Sequence, residues 1–407
     1  MGTCQECPYV PTTEYGDFSQ RMQHKIADEH IPISGSIEVT ARCNVNCVHC
    51  YINLPPGDRE ARARELSLEE MCDVLDQIAD AGCLWLQITG GEPFLRPDFL
   101  DIYTYAKQKG FLITLFTNGT MITPEIADYL AEWPPFSIEI TLYGHTQETY
   151  ERVTRIPGSH ARCRRGVELI LERNLPLKLK TVAITTNVHE LWDMKAYAEG
   201  LGVSFHYDAE INARLDGSLG PTKYRLSPKE VVALQKADVG VEEDILKFYD
   251  QYGGTPPSPE NIYQCGAGLS SFHVDPDGLL SLCLMSRAHS YDLRQGTFEE
   301  GWHDFLPDLR WQKRSRPSPC QSCSLGGLCG GCPGVSHMEN GDIEERVAYL
   351  CDITHERAAA LGILKDQSLE PFDNAGVIPI ATIPIAGAKI DAAVIPGTII
   401  PIAELMA

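Results

Sequence analysis

The stretch GSIEVTARCNVNCVHCY, residues 35–51, runs a strand candidate, Gly35–Thr40, directly into Cys43, Cys47 and Cys50. The spacing is C-x3-C-x2-C, and Tyr51 follows the last cysteine. Iron–sulfur clusters are held by cysteine thiolates. Three thiolates can hold three irons of a 4Fe-4S cube and leave the fourth open to a small molecule. A site that only carries electrons would have a fourth cysteine close by, and here the local group stops at three.

Working outward, residues 35–215 read as alternating strands and helices. Ser67 and Glu70 form a capping-box pair ahead of an apolar helical face of Leu68, Met71, Cys72, Leu75, Ile78 and Ala79. Strands are expected at Leu84–Thr89, Phe111–Thr117, Phe136–Thr141, Leu179–Thr185 and Val203–Ala209. Helices are expected at Phe99–Lys109, from Pro124, at Cys163–Arg173 and at Leu191–Gly200, with the proline in the first turn. About six βα units predict a parallel sheet, open or curled into a barrel. Polar and glycine-rich segments follow the strand ends, where such folds place their chemistry. On the sixth strand, His206 and Asp208 share a side and are candidates for its interior.

Residues 216–261 read as a helical linker, with helices from Pro228 to Asp238 and Glu242 to Tyr252 and a Pro/Gly hinge at Gly253–Pro259. Residues 262–365 hold Cys265, Cys283, Cys320, Cys323, Cys329, Cys332 and Cys351 with few long periodic elements. Asp275-Pro276-Asp277-Gly278 there reads as a hairpin turn. A region with so little apolar periodicity needs something else to hold it, and bound metal would supply that. Taken alone, Cys320, Cys323, Cys329 and Cys332 also fit a tetrahedral zinc site. Residues 1–34 are an N-terminal extension with an isolated Cys4-x2-Cys7 pair. Residues 366–407 form an Ile/Pro/Ala-rich tail that repeats Ile-Pro-Ile-Ala at 378–381, 383–386 and 400–403. So many prolines oppose helix and central strand. The tail is a packing arm or a fused substrate peptide.

The chain has 15 cysteines in 407 residues and a net charge of -22. No secretory signal and no run of 18 apolar residues is present, so no membrane span and a reducing cytoplasmic setting are expected. In that setting cysteines are metal ligands rather than disulfides. The acidic balance argues against nucleic acid as a partner.

The cysteine triplet with Tyr51, and Gly90-Gly91-Glu92-Pro93 after the second strand, resemble the radical S-adenosylmethionine (radical SAM) superfamily. The resemblance implies a partial (β/α)6 barrel in which Cys43, Cys47 and Cys50 bind a 4Fe-4S cluster and SAM chelates its open iron. Reductive cleavage of SAM would then give a 5'-deoxyadenosyl radical that abstracts hydrogen from a substrate. It implies SAM contacts along Gly90, Gly91, Glu92 and Pro93, with Tyr51 near the adenine. Asn118, Glu139, Thr141, Arg155 and Thr185 are further cofactor-binding candidates. The strand end Thr141-Leu142-Tyr143-Gly144 departs from relatives, which carry an acid there. Residues 262–365 resemble the SPASM extension of peptide-modifying radical SAM enzymes. That implies two auxiliary clusters, one on Cys320, Cys323, Cys329 and Cys351 and one on Cys265, Cys283 and Cys332. The second set has three thiolates, so either a non-cysteine ligand completes it or an iron stays open.

The implied function is oxidative modification or crosslinking of a ribosomal peptide, with ferredoxin or flavodoxin as electron donor. The residues before 35 are too few for a separate peptide-binding domain, so a partner protein or strand addition is expected to recognise the substrate. The alternatives are a maturase of a protein side chain, a radical SAM enzyme acting on a metabolite or cofactor precursor, and a non-catalytic metal-stabilised scaffold. No catalytic side chain is identifiable from the sequence.

Overall fold

The computed structural model describes residues 21–22, 25–26, 28–52, 54–252 and 260–363. The Cys4–Cys7 pair, the 253–259 hinge and the 366–407 tail lie outside the described residues.

Six strands follow one another in parallel: β1 (Ser34–Glu38), β2 (Trp85–Thr89), β3 (Leu112–Thr117), β4 (Ser137–Thr141), β5 (Leu177–Val182) and β6 (Ser204–Asp208). Between them lie α1 (Arg59–Arg64), α2 (Leu68–Asp80), α3 (Phe99–Gln108), α4 (Pro124–Glu132), α5 (Gln147–Thr154), α6 (Ser159–Leu171) and α7 (Leu191–Gly200). All five residues of β2 are buried, as expected for a parallel strand covered on both faces. The capping box on α2 forms as read, and Met71, Val74, Leu75 and Ile78 are its buried residues. A cap contributes about 1 kcal/mol. Each buried large apolar side chain contributes about 1.5–3 kcal/mol. Packing, rather than the cap, therefore holds α2 in place.

Two expectations need correction, and two helices were not foreseen. The fifth strand is shifted toward the N-terminus, because Leu177 already pairs with Ile138 and Asn187 turns the chain away by accepting from the Ile184 amide at 2.8 Å. On β6, Ser204 and His206 are exposed because this strand is a sheet edge, so only Asp208 of the expected pair reaches the interior. Helices α1 and α5 were not legible, since α1 buries only Ala61 and carries no apolar stripe.

The sheet does not end at β1. Strand β7 (Ser271–Val274) pairs with it in parallel, and β8 (Leu279–Ser281) and β9 (Tyr291–Asp292) add in antiparallel fashion. Gly35 is opposite Phe272, and a Cβ at Gly35 would lie 2.3 Å from the Phe272 ring, so glycine is what lets this closure happen. The hairpin turn forms on Asp275, whose side chain accepts from the amides of Asp277 and Leu279. One apolar core runs from Ile37 and Leu75 through Phe272 to Trp302, Leu306 and Ile353.

Helices α8 (Pro228–Ala237) and α9 (Val239–Tyr252) follow the barrel. The cysteine-rich region is more ordered than its sequence predicts, with α10 (Pro333–Asn340) and the 13-residue α11 (Ala348–Ala360). The buried face of α11 is only Leu350, Ile353, Thr354 and Ala358, too sparse to read as a stripe.

Candidate active site

The triplet loop is anchored by backbone bonds at both ends. Cys43 N donates to Leu54 O at 2.9 Å, and Asn46 and Val48 donate to Thr154 and Val153 at the end of α5. At the loop's base Arg42 makes a two-point ion pair with Glu65 at 2.7 and 2.9 Å, both side chains being buried. Cys43 and Cys47 are buried and Cys50 is half-buried. Burial pushes the Cys43 thiol up to about 12, helped by the Glu92 charge, while the Val45 amide and Asn118 work against it. Cys47 is also raised, by burial and by its neighbours Cys50 and Cys43, with the Tyr143 hydroxyl opposing. Thiolates packed this closely in a dry loop need cationic compensation, which bound iron provides.

These thiols open into a cavity of about 270 Å³. Its wall takes Ser36 from β1, Gln87 and Thr89 from β2, Phe116 from β3, Thr141 from β4, Lys180 from β5, Asp208 from β6 and Ser271 from β7. The sheet therefore curls around it. Gln87 Oε1 and His49 Nδ1 are buried there without a hydrogen-bond partner, and burial holds the His49 imidazole down at about 4.

The structure brings Tyr51, Gly90, Gly91, Asn118 and Thr141 to this cavity. The glycine pair is there for a reason the sequence did not show. A Cβ on Gly90 would sit 2.2 Å from Thr40 O, and one on Gly91 2.2 Å from Arg42 O. The loop after β2 is thus pressed against the chain entering the cysteine loop, and Gly91 N donates to Thr40 O at 2.7 Å. Asn118 approaches Cys43 Sγ with its amide nitrogen at 3.7 Å.

Glu92, Pro93, Glu139, Arg155 and Thr185 are not in the cavity wall. Glu92 is fully buried and accepts from Thr117 Oγ1, Asn118 N and Phe94 N, so it ties the β2 loop to the end of β3. Burial raises its carboxyl to about 7 against those bonds. Pro93 opens the short helical turn Pro93–Leu95. Glu139 pairs with Lys180 at 3.2 Å and Lys178 at 3.6 Å. Arg155 ends α5 in a left-handed conformation and reaches Tyr224 on the exterior, and Thr185 is exposed beyond the end of β5.

Sequence reasoning missed a buried network beside Tyr51. The Tyr51 hydroxyl donates to Glu38 Oε1 at 3.2 Å, and Arg287 donates to both Glu38 oxygens at 2.7 and 2.9 Å. Arg287 Nε then donates to Leu284 O at 2.8 Å, one residue from Cys283. A bonded path thus connects the neighbour of Cys50 with the neighbour of Cys283. Its central link, Arg287 to Glu38, joins residues more than two hundred positions apart, so no spacing rule could reveal it.

The seven later cysteines gather into two groups. Cys332 is pushed up to about 12 by burial and then by Cys283 and Cys265. Cys283 is raised to about 11 by burial and by Cys265. Separately, Cys329 is raised to about 11, by burial foremost, with Cys320 and Cys323 adding to it, and Cys351 is raised by burial and by Cys323 and Cys320. Backbone N–H groups point at these sulfurs: Gly334 and Val335 at Cys332, Met285 and Ser286 at Cys283, Gly331 at Cys329. Cys283 also lines the central cavity. Across it, Asp208 and Glu210 share the wall, and Glu210 contacts Arg357 of α11 at 3.4 Å.

Residues 37–198 match the model of the Radical SAM superfamily. The chain carries a radical SAM domain. Among curated relatives, the AdoMet-dependent heme synthase of Methanosarcina barkeri is 26% identical over 77% of this chain and 94% of its own length. Mycofactocin maturase MftC of Mycobacterium ulcerans is 28% identical over 74% of this chain and 83% of its own. The fold is that of Streptococcus suis SuiB bound to its precursor peptide SuiA, with a TM-score of 0.62 over 86% of this chain and 84% of that one at 17% identity. The radical SAM domain and those relatives support an enzyme, and the domain implies SAM and a 4Fe-4S cluster as cofactors. The residues present fit that pair: three adjoining thiols at one end of a cavity whose wall holds unpartnered polar atoms. No helix among the described residues is long and apolar enough to cross a membrane.

Proposed function

We propose that this enzyme oxidatively modifies a peptide held in the central cavity between two redox sites. The observation that carries this reading is that one cavity is lined by Cys43, Cys47 and Cys50 at one place and by Cys283 at another. In this reading Cys43, Cys47 and Cys50 hold the radical-generating cluster, and residues 35–215 form its barrel. SAM bound there supplies a carbon radical that takes a hydrogen atom from an unactivated C–H bond. The chain's own residues bind, orient and shield. Asn118 and Tyr143 donate toward the first thiols, and the half-buried wall excludes bulk water. Residues 262–365 act as a SPASM region whose thiol groups, Cys265/Cys283/Cys332 and Cys320/Cys323/Cys329/Cys351, hold two auxiliary clusters. Clusters bound there would supply an acceptor for the electron left on the oxidised substrate. A ferredoxin or flavodoxin in the cytoplasm supplies the first electron, and a separate protein presents the peptide.

The likeness to a heme synthase supports a second reading, in which a cofactor precursor is the substrate. Charge favours the peptide. The cavity wall carries the carboxylates of Asp208 and Glu210 against the single ammonium of Lys180, a poor match for a polycarboxylate tetrapyrrole. The test is anaerobic reconstitution of the full chain with SAM and dithionite. 5'-Deoxyadenosine and the mass of the 366–407 segment are measured together. Deoxyadenosine with a changed tail mass makes the tail the peptide substrate, and an unchanged tail directs the search to an external peptide. Stimulation by a heme precursor but by no peptide would favour the second reading. No deoxyadenosine from iron-loaded protein would refute both.

A further inference from the structure

The Cys265, Cys283 and Cys332 group has three thiols, and the fold supplies a fourth donor beside it. Ser271 is 8% exposed, and its Oγ is buried with no hydrogen-bond partner. Buried hydroxyls are ordinarily satisfied, so an orphan asks for a ligand, a water or an ion.

Its position specifies which. In the β7–β8 hairpin His273 is opposite Ser281 and Val274 opposite Leu280. Past Ser281 the chain bends and Cys283 bridges back to Ser286, so that Cys283 comes to line the same cavity as Ser271. On its other side, the turn closed by Leu269 N to Gly266 O and Gly268 N to Ser271 O folds the chain after Cys265 back onto Ser271. Ser271 thus shares the cavity wall with Cys283 and has Cys265 across a tight turn, and Cys332 is close to both cysteines. The first cysteine loop is not its partner. Ser271 pairs with Ser34 at the start of β1, whereas that loop follows the strand's far end, about 13 Å along at 3.3 Å per residue.

We propose that Ser271 Oγ is the fourth ligand of the Cys265–Cys283–Cys332 cluster. This rests on the reading above that these thiols hold a cluster. On ligation the hydroxyl gives its proton to solvent as the oxygen–iron bond forms, and no electron moves. The cluster is then closed, so it takes electrons from the substrate without binding it, and substrate is held by the cavity wall alone.

The experiment uses the full chain with Cys43, Cys47 and Cys50 changed to Ala, so that only the later clusters are read. Reduced samples are followed by electron paramagnetic resonance with and without added imidazole, together with iron release to a chelator. With Ser271 in place, imidazole leaves the spectrum unchanged. Ser271→Ala opens the site, so imidazole shifts the signal and iron leaves at least about tenfold faster. Ser271→Cys restores resistance to imidazole with a changed reduction potential, and it serves if the alanine variant fails to fold. An imidazole shift with Ser271 present, or a cysteine variant with an unaltered potential, overturns the serine assignment. Cys283→Ala controls the underlying reading: it must lose about four irons. If it keeps them, the three-thiol cluster itself is wrong, whatever Ser271 does.

Discussion

The two cysteine regions are built in opposite ways. Cys43, Cys47 and Cys50 lie within eight consecutive residues of one loop, fastened to Leu54 and to the end of α5. The later cysteines are spread over 87 positions, from Cys265 to Cys351, and are gathered by a hairpin, a turn and two helices. A loop of fixed spacing keeps its three thiols near one another along the chain. A gathered set depends on everything that packs around it. The first design keeps a reactive site in a rigid local frame, and the second lets the barrel and the cysteine-rich region share one cavity.

The comparison breaks most sharply at the first loop. Cys43→Ala is expected to abolish 5'-deoxyadenosine formation and remove about four irons, checked by chromatography and iron analysis. Cys332→Ala is expected to remove a similar number while deoxyadenosine formation persists and substrate oxidation fails. Equal loss of SAM cleavage in both variants would show that the regions are not separable.

Arg287→Met tests the link between them. Glu38 is fully buried, and removing its partner leaves a buried charge unpaired. That costs about 3–5 kcal/mol, read from the urea midpoint of apo-protein. Replacing both Arg287 and Glu38 with apolar residues should recover most of that loss.

Asp208 offers a pH test of the wall between the two sites. Burial, and then the Glu210 charge, raise its carboxyl from an ordinary 3.8 to about 7, with Arg357 opposing. The folded state therefore holds a proton that the unfolded chain releases, and stability falls as pH rises from about 4 to about 7. Asp208→Asn should flatten that fall, which one proton limits to about 1.4 kcal/mol per pH unit. A slope unchanged in the variant would place the proton elsewhere. The smallest effect belongs to the remote α2 cap: Ser67→Ala should cost about 1 kcal/mol and leave both iron sets intact.

Several features were legible because their causes are local. The six βα units show in strand and helix periodicity, the capping box at Ser67 in a four-residue pattern, and the triplet in its spacing. Glu92 and Arg155 were misplaced because a motif position says which residue is present and not which way it faces. Glu92 turns inward to the end of β3, and Arg155 turns outward as a helix cap.

By itself the sequence determined the radical SAM domain, since hydrogen-bonding period and thiol spacing act within a few residues. A resemblance to a family also implied a partition of the later cysteines. Only the tertiary structure decided that β7 joins β1, that Arg287 reaches Glu38 and that Ser271 and Cys283 line one cavity. Those contacts join residues more than two hundred positions apart, or depend on how the chain folds around the cavity. They exist only after the apolar core has brought the two regions together, and no local pattern encodes them.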